Sequence, residues 1–252
     1  MMQGEGGNIA REMRIDGDEI ALRRRFLALG DTDVELLRRL HEVLPADGHG
    51  FTGAFYDMLR TYPPLAGLLR DDATVTRLKA AHERYFRELT AGRYDAAYVA
   101  RRLEVGLTHA RIGLEPKWYI GAFRAYLSAM MHTVWDRFDG CREDVLPTLD
   151  ALLKIALFDL GLTLDTYFHA DKRRIALRDR AIESSVNGIF IADALQDDYP
   201  LIYVNPAFER ALGARTGAVV GQPCICRNHG DDGYAEIRHA IASGREGTTV
   251  LE

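Results

Sequence analysis

His109 stands among Val105, Leu107 and Ile112 on a helical repeat, so its imidazole belongs to an apolar interior. A histidine so placed has two fates: it is hydrogen-bonded within the core, or its neutral ring ligates a metal. A second polar group, the Tyr56 hydroxyl, lies on the apolar side of another segment, beside Ala54, Phe55, Met58 and Leu59. A buried phenol needs an acceptor, and a backbone carbonyl, solvent or a ligand held opposite it would serve. Cys224, Cys226 and His229 form a C-x-C-x-x-H cluster. Without a fourth donor it is an incomplete zinc set, and free thiols are the simpler reading.

Helices must position these groups. From Asp16 to about Arg180 apolar residues recur at three and four spacing, with breaks at glycine, proline and aspartate. The breaks predict helices over Asp18–Leu29, Val34–Leu44, Phe51–Tyr62, Ala73–Ala91, Ala96–Ile112, Pro116–Phe138 and from Asp144 into the 170s. Pro45 to Gly50, Pro63-Pro64, Gly92 and the stretch Gly113 to Pro116 interrupt them. Asp71-Asp72 offers a cap for the fourth. Leu146, Leu149, Leu152, Leu153, Leu157, Leu160 and Leu164 encircle the last helix. A helix apolar all round must be covered all round, so part of it is expected to pack on a second copy as a homodimer. His169 to Arg180 is strongly charged and predicts a solvated helical connector.

After Arg180 the period shortens. Gly188–Asp193 and Leu201–Asn205 are β-branched and aromatic runs that predict two strands, joined through Asp197-Asp198-Tyr199-Pro200. Helices are expected over Pro206–Leu212 and Gly233–Ser243, and a third strand over Gly247–Leu251. The fold class is therefore an all-α domain followed by a partial α+β module. The organisation expected is a disordered tail over 1–15, a helical domain over 16–168, a linker over 169–180 and the partial module over 181–252.

Thirty-two basic against 37 acidic residues give a net charge of -5 with both signs interspersed, which argues against a nucleic-acid or anionic-membrane surface. Three cysteines, Cys141, Cys224 and Cys226, are too few for a disulfide framework. No run approaches the ~20 apolar residues of a membrane span, and Met1 to Arg14 lacks the apolar core of a secretory signal. A cytoplasmic location is the expectation.

The segment His109-Ala-Arg-Ile-Gly-Leu-Glu-Pro-Lys-Trp-Tyr-Ile-Gly-Ala-Phe123 resembles the signature of the globin-coupled sensor family. In that family a proximal histidine precedes an R-I-G-L-x-P-x-W-Y-x-G-A-[FY] run. Phe55-Tyr56-Asp-Met-Leu59 is similar to the family's B-helix motif. Tyr56 precedes His109 by 53 positions, the separation of distal tyrosine and proximal histidine in the aerotaxis-sensor members. Leu78-Lys79, Gly92-x-Tyr94-Asp95 and Arg101-x-x-x-Val105-Gly106 fit as well, and the resemblance covers about Asp16 to Phe168.

The resemblance implies a globin-like domain holding haem b, iron protoporphyrin IX, on His109 as a neutral imidazole. It gives Tyr56 a hydrogen bond to dioxygen, with nitric oxide and carbon monoxide as other diatomic ligands. Leu78 would lie over the distal face, and Phe55, Val105, Ile112 and Tyr119 would line the pocket. Ala81 stands where some members carry a second distal hydroxyl, which would leave ligand stabilisation to Tyr56. His82 follows it and is expected to point outward, although an inward ring would make the resting iron six-coordinate.

Ala181–Asp193 followed by Pro200–Phe208 resembles the opening of a PAS domain, including its flavin-binding light-sensing branch. Gly221-Gln-Pro-Cys224 aligns with the start of that branch's G-x-N-C-R-F-L-Q motif. Pro223, Ile225, Cys226 and Asn228 depart from it and remove groups that would hold a flavin, so no working flavin site is expected. A module lacking its last strands leaves a sheet edge open. The chain is therefore expected to be a fragment of a longer sensor whose effector lies elsewhere. The reading is a haem-based gas sensor, not an enzyme. Two alternatives stay open: a haem enzyme consuming dioxygen, nitric oxide or peroxide, for which no Gly-rich dinucleotide fingerprint supplies electrons, and a haem-free dimerisation module.

Overall fold

Asp16, Asp71 and Asp95 each stand immediately before a helix and accept a backbone N–H three positions on. The donors are Glu19 at 3.0 Å, Thr74 at 2.6 Å and Tyr98 at 2.8 Å. Such caps satisfy donors that the first helical turn leaves free. The computed structural model describes residues 5–44, 51–138, 142–193, 195–196, 199–213, 216–223 and 243. The helices are α1 (Glu5–Glu12), α2 (Gly17–Phe26), α3 (Asp31–Val43), α4 (Phe51–Arg60), α5 (Pro63–Ala66), α6 (Asp72–Thr90), α7 (Ala96–Arg111), α8 (Pro116–Arg137) and α9 (Arg142–Glu183). Two strands, β1 (Phe190–Ala192) and β2 (Leu201–Val204), and two short helices, α10 (Pro206–Leu212) and α11 (Thr216–Val219), follow. Residues 1–171 form one unit and residues 172–252 a second.

The core of the first unit contains Leu37 and Leu40 of α3, Leu89 of α6, Leu103 of α7, Val134 of α8 and Ile155 and Leu162 of α9, all fully buried. The seven helices expected are present, with ends displaced by a few residues. Two elements of this unit, α1 and α5, were not expected, nor was α11 in the second. Pro63-Pro64 ends α4 and then opens the single turn of α5, because proline suits a first helical turn.

The N-terminal stretch, expected to be a disordered tail, instead carries α1. Its Ile9 enters the core, Glu5 holds Arg111 of α7 through two bonds of 2.8 and 3.0 Å, and Gly6 meets the α7 backbone. A Cβ on Gly6 would lie 1.9 Å from the Ala100 carbonyl oxygen, so only glycine permits this approach. Glycine-rich composition disfavours an isolated helix, but tertiary packing overrides propensity.

The apolar circumference of α9 divides into two faces. Ala151, Leu152, Ile155, Phe158 and Leu162 are buried, and with them Asp159, Thr163 and Thr166. Leu146, Leu153 and Leu157 are exposed, as are Met131 and Trp135 of α8. From Asp171 to Arg180 every residue of α9 is exposed, as the charged sequence requires.

In the second unit β1 and β2 pair antiparallel, Phe190 opposite Val204 and Ile191 opposite Tyr203. Asn205 is fully buried and organises this unit. Its Oδ1 accepts the N–H of Phe208, capping α10, and that of Ile189, while its Nδ2 donates to the carbonyls of Ile182 and Asn187. The backbone of Gly221 and Gln222 bonds to Leu201 alongside β2. Cys141, Cys224, Cys226, His229, the Pro45–Gly50 break, the Asp197-Asp198 turn, the third strand and the second expected helix short of Ser243 lie outside the described residues. Among the described residues no helix is long and apolar enough to cross a membrane, and no cluster of three His, Cys, Asp or Glu side chains could hold a metal ion.

Candidate functional site

On α6 the residues Val75, Leu78, His82, Tyr85 and Leu89 fall at three and four spacing, one inward stripe. His82 belongs to that stripe, so its ring points into the domain. This corrects the outward orientation expected from its position after Ala81. Phe86 stacks on the ring at 5.8 Å between centroids, Phe55 meets it edge-on at 5.7 Å, and its Nδ1 is hydrogen-bonded to the Tyr56 hydroxyl. α4 and α6 are thus joined at the two residues that face each other.

α7 presents His109 in its last turn. The ring lies 5.1 Å from that of Tyr119 on α8, and its Nδ1 is buried without a hydrogen-bond partner. Burial lowers the basicity of both imidazoles, His82 and His109 each to about 4, with the neighbouring His109 adding to the effect on His82. Both rings are therefore neutral near pH 7, the form that can donate a lone pair to a metal. Burial also raises the Tyr56 phenol far above its ordinary range, so it stays protonated.

Two cavities meet at these imidazoles, and His82, Tyr85, Val105 and His109 line both. The smaller, about 90 Å³, is otherwise apolar, with Leu59, Leu65, Phe86, Leu114, Trp118, Tyr119, Ala122 and Phe123. The larger, about 350 Å³, is bounded by Leu78 and Ala81 and by charged side chains including Arg84, Arg101 and Glu104. A flat, largely apolar cofactor with a carboxylate edge fits this division. Two neutral nitrogen donors, one bearing an unpartnered ring nitrogen, fit its metal.

Of the residues expected at the site, His109, Leu78, Ala81, Val105 and Tyr119 line one or both cavities. Phe55 and Tyr56 stand behind His82 and reach the space through it. Ile112 is a correction: as the C-cap of α7 it is 48% exposed and lines neither cavity. Trp118, Ala122 and Phe123 were missed, although they lie in the quoted motif at the helical spacing of one inward face.

Behind Tyr119 lies a buried polar network that sequence reading also missed. Asp159 of α9, fully buried, accepts hydrogen bonds from Tyr85 at 2.9 Å and Tyr98 at 2.7 Å and pairs with the Arg102 guanidinium at 2.8 Å. Arg102 lies 3.8 Å from the centre of the Tyr85 ring and 4.3 Å from that of Tyr98. The signal was the register of Asp159 with the apolar positions Leu152, Ile155 and Leu162 of α9.

Residues 16–173 match the family model described as Protoglobin, and residues 176–252 match that of the PAS fold. The heme-based aerotactic transducer HemAT of Halobacterium salinarum is 28% identical over 180 residues, 68% of this chain and 37% of that protein. Putative adagio-like protein 2 of Oryza sativa subsp. japonica is 39% identical over 67 residues, 25% of this chain and 9% of its own length. The chain therefore spans little more than a third, or less, of these curated relatives. The globin domain of the Geobacter sulfurreducens globin-coupled sensor superposes with a TM-score of 0.55 at 26% identity, covering 58% of this chain and 96% of that one.

Proposed function

The chain belongs to the protoglobin family through residues 16–173, and from that premise we propose that it is a haem-based sensor of a diatomic gas, most readily dioxygen. The observation that supports this best is the pair of neutral imidazoles, His82 and His109, lining the same space between α6 and α7. Haem iron, when bound, supplies reversible ligation of such a gas. His109 would hold the iron, and the apolar wall of Leu59, Phe86, Trp118 and Phe123 would seat the macrocycle and exclude water. Tyr56 is the hydroxyl nearest His82 and the donor for a polar ligand, once it is released from that histidine.

The exposed apolar residues of α8 and α9, Met131, Trp135, Leu146, Leu153 and Leu157, support a homodimer. The signal would leave through α9, whose helix continues to Glu183, toward the PAS fold. The reading is a cytoplasmic sensor using haem b.

The test is an optical spectrum of the purified, haem-loaded chain, ferric and ferrous, with and without dioxygen. The expected result is a reversible, gas-dependent Soret shift that His109→Ala abolishes by losing haem. If the wild type takes up no haem, or His109→Ala binds it unchanged, the reading is wrong.

A further inference from the structure

The hydroxyl protons of the buried network run in one direction. Tyr85 gives its proton to the Asp159 carboxylate, which can only accept, so the 3.3 Å contact between Tyr85 and Tyr119 is filled by the Tyr119 proton. Thr163 in turn donates to the Tyr119 oxygen at 3.0 Å. The sequence of donors is therefore Thr163 to Tyr119 to Tyr85 to Asp159. It starts and ends on the same turn of α9, because Thr163 and Asp159 are four residues apart. Between these ends it passes through α8 and α6, and Tyr119, its one member in ring contact with His109, is held by α9 from both sides.

Tyr98 offers an internal contrast. It also donates to Asp159, but from α7 and with no bond to Tyr119. Arg102 fixes the carboxylate by an ion pair and donates to the Tyr85 carbonyl at 2.9 Å. Asp159 thus has two tyrosine donors of similar length: Tyr85 reaches the His109 ring through Tyr119, whereas Tyr98 shares the helix of His109 but has no bond to the Tyr119 that lies on its ring.

We infer that Tyr85 is a positioning residue whose hydroxyl couples His109 to α9, by joining Tyr119, which lies on His109, to Asp159. The inference rests on the haem-sensor reading above. A displacement of His109 moves the Tyr119 ring, and the hydroxyl chain converts that movement into a strained or broken bond on the Asp159–Thr163 turn. Apolar contacts of the same rings would slide instead of breaking, so the chain gives α9 two discrete arrangements.

The experiment is amide hydrogen exchange of the haem-loaded full chain, ferrous, with and without carbon monoxide as the probe. It is read on α9 residues 156–166, and the Soret band reports haem content in each sample. Wild type is expected to change exchange in that segment several-fold on carbon monoxide addition. Tyr85→Phe is expected to lose the change, and Tyr98→Phe, which removes an equivalent bond to Asp159, is expected to keep it. If Tyr85→Phe does not fold, Thr163→Val, which cuts the other tie between α9 and Tyr119, is expected to show the same loss. The inference is overturned if the variants that cut the chain respond as wild type does, if Tyr98→Phe loses the response equally, or if haem-loaded wild type shows no response. A chain that takes up no haem overturns the functional reading and this inference together.

Discussion

The Tyr56 hydroxyl and the His82 Nδ1 share a hydrogen bond between α4 and α6. The family resemblance assigns that hydroxyl to the gas, whereas the structure assigns it to a histidine. In the tautomer whose Nδ1 bears no proton, the protonated phenol donates to the imidazole and is not an uncommitted donor.

The two residues should therefore have opposite effects in the haem-loaded protein. Tyr56→Phe is expected to speed dioxygen release and His82→Phe to slow it, each by about tenfold, the worth of roughly one hydrogen bond. Flash photolysis or stopped-flow mixing measures both rates. Unchanged release in His82→Phe would show that the histidine does not compete.

The haem-free protein should lose stability in mild acid. Both imidazoles are held near 4 when folded and return to about 6.5 when unfolded. Between those values the unfolded chain takes up protons that the folded one refuses, so stability is highest above 6.5 and falls as pH drops toward 4. The loss approaches about 1.4 kcal/mol per pH step for each imidazole. Urea midpoints at about pH 7 and about pH 5 test this. A His82→Phe, His109→Phe double variant should show a flatter dependence, and an equal slope in the variant would contradict it.

If α8 and α9 form a homodimer surface, Trp135→Glu and Leu153→Glu should each weaken self-association by about 2 kcal/mol, or roughly thirtyfold in Kd. Sedimentation velocity over a concentration series reads the shift. Ile112→Ala serves as a contrast, since that side chain is exposed on α7 outside both cavities.

Asn205→Ala should strike the second unit alone. Four hydrogen bonds converge on this buried amide, and its loss leaves backbone groups without partners at a cost of about 2 to 3 kcal/mol. Thermal unfolding should show an earlier transition for the PAS fold, with the Soret band melting as in wild type. A shift of both transitions would mean that the two units unfold together.

Much of this was legible in the residues. Proline, glycine and aspartate punctuation marked the long helices, and the His109–Phe123 motif marked a segment that lines the smaller cavity. His82 was misread because its neighbour Ala81 drew attention, when the run Val75, Leu78, His82, Tyr85, Leu89 already defined an inward stripe. Ile112 was misplaced because the resemblance carried it over as a lining residue, whereas here the helix ends at that position and the side chain is exposed. Asp159, Arg102, Tyr85 and Tyr98 were not found because their meeting depends on four residues from three helices, and no local spacing encodes it.

The docking of α1 changes how the globin unit should be cut. The family match begins at residue 16, whereas Glu5, Gly6 and Ile9 already lie against the helix that carries His109 or in the core beside it. A fragment started at the family boundary would uncover the outer side of that helix and remove the Glu5–Arg111 clamp near its histidine end. Any ligand affinity measured on it would describe the trimmed fragment and not the longer chain. Measurements on this protein belong on chains that keep the first fifteen residues, and an alanine at Gly6 would reproduce the trimming without shortening anything.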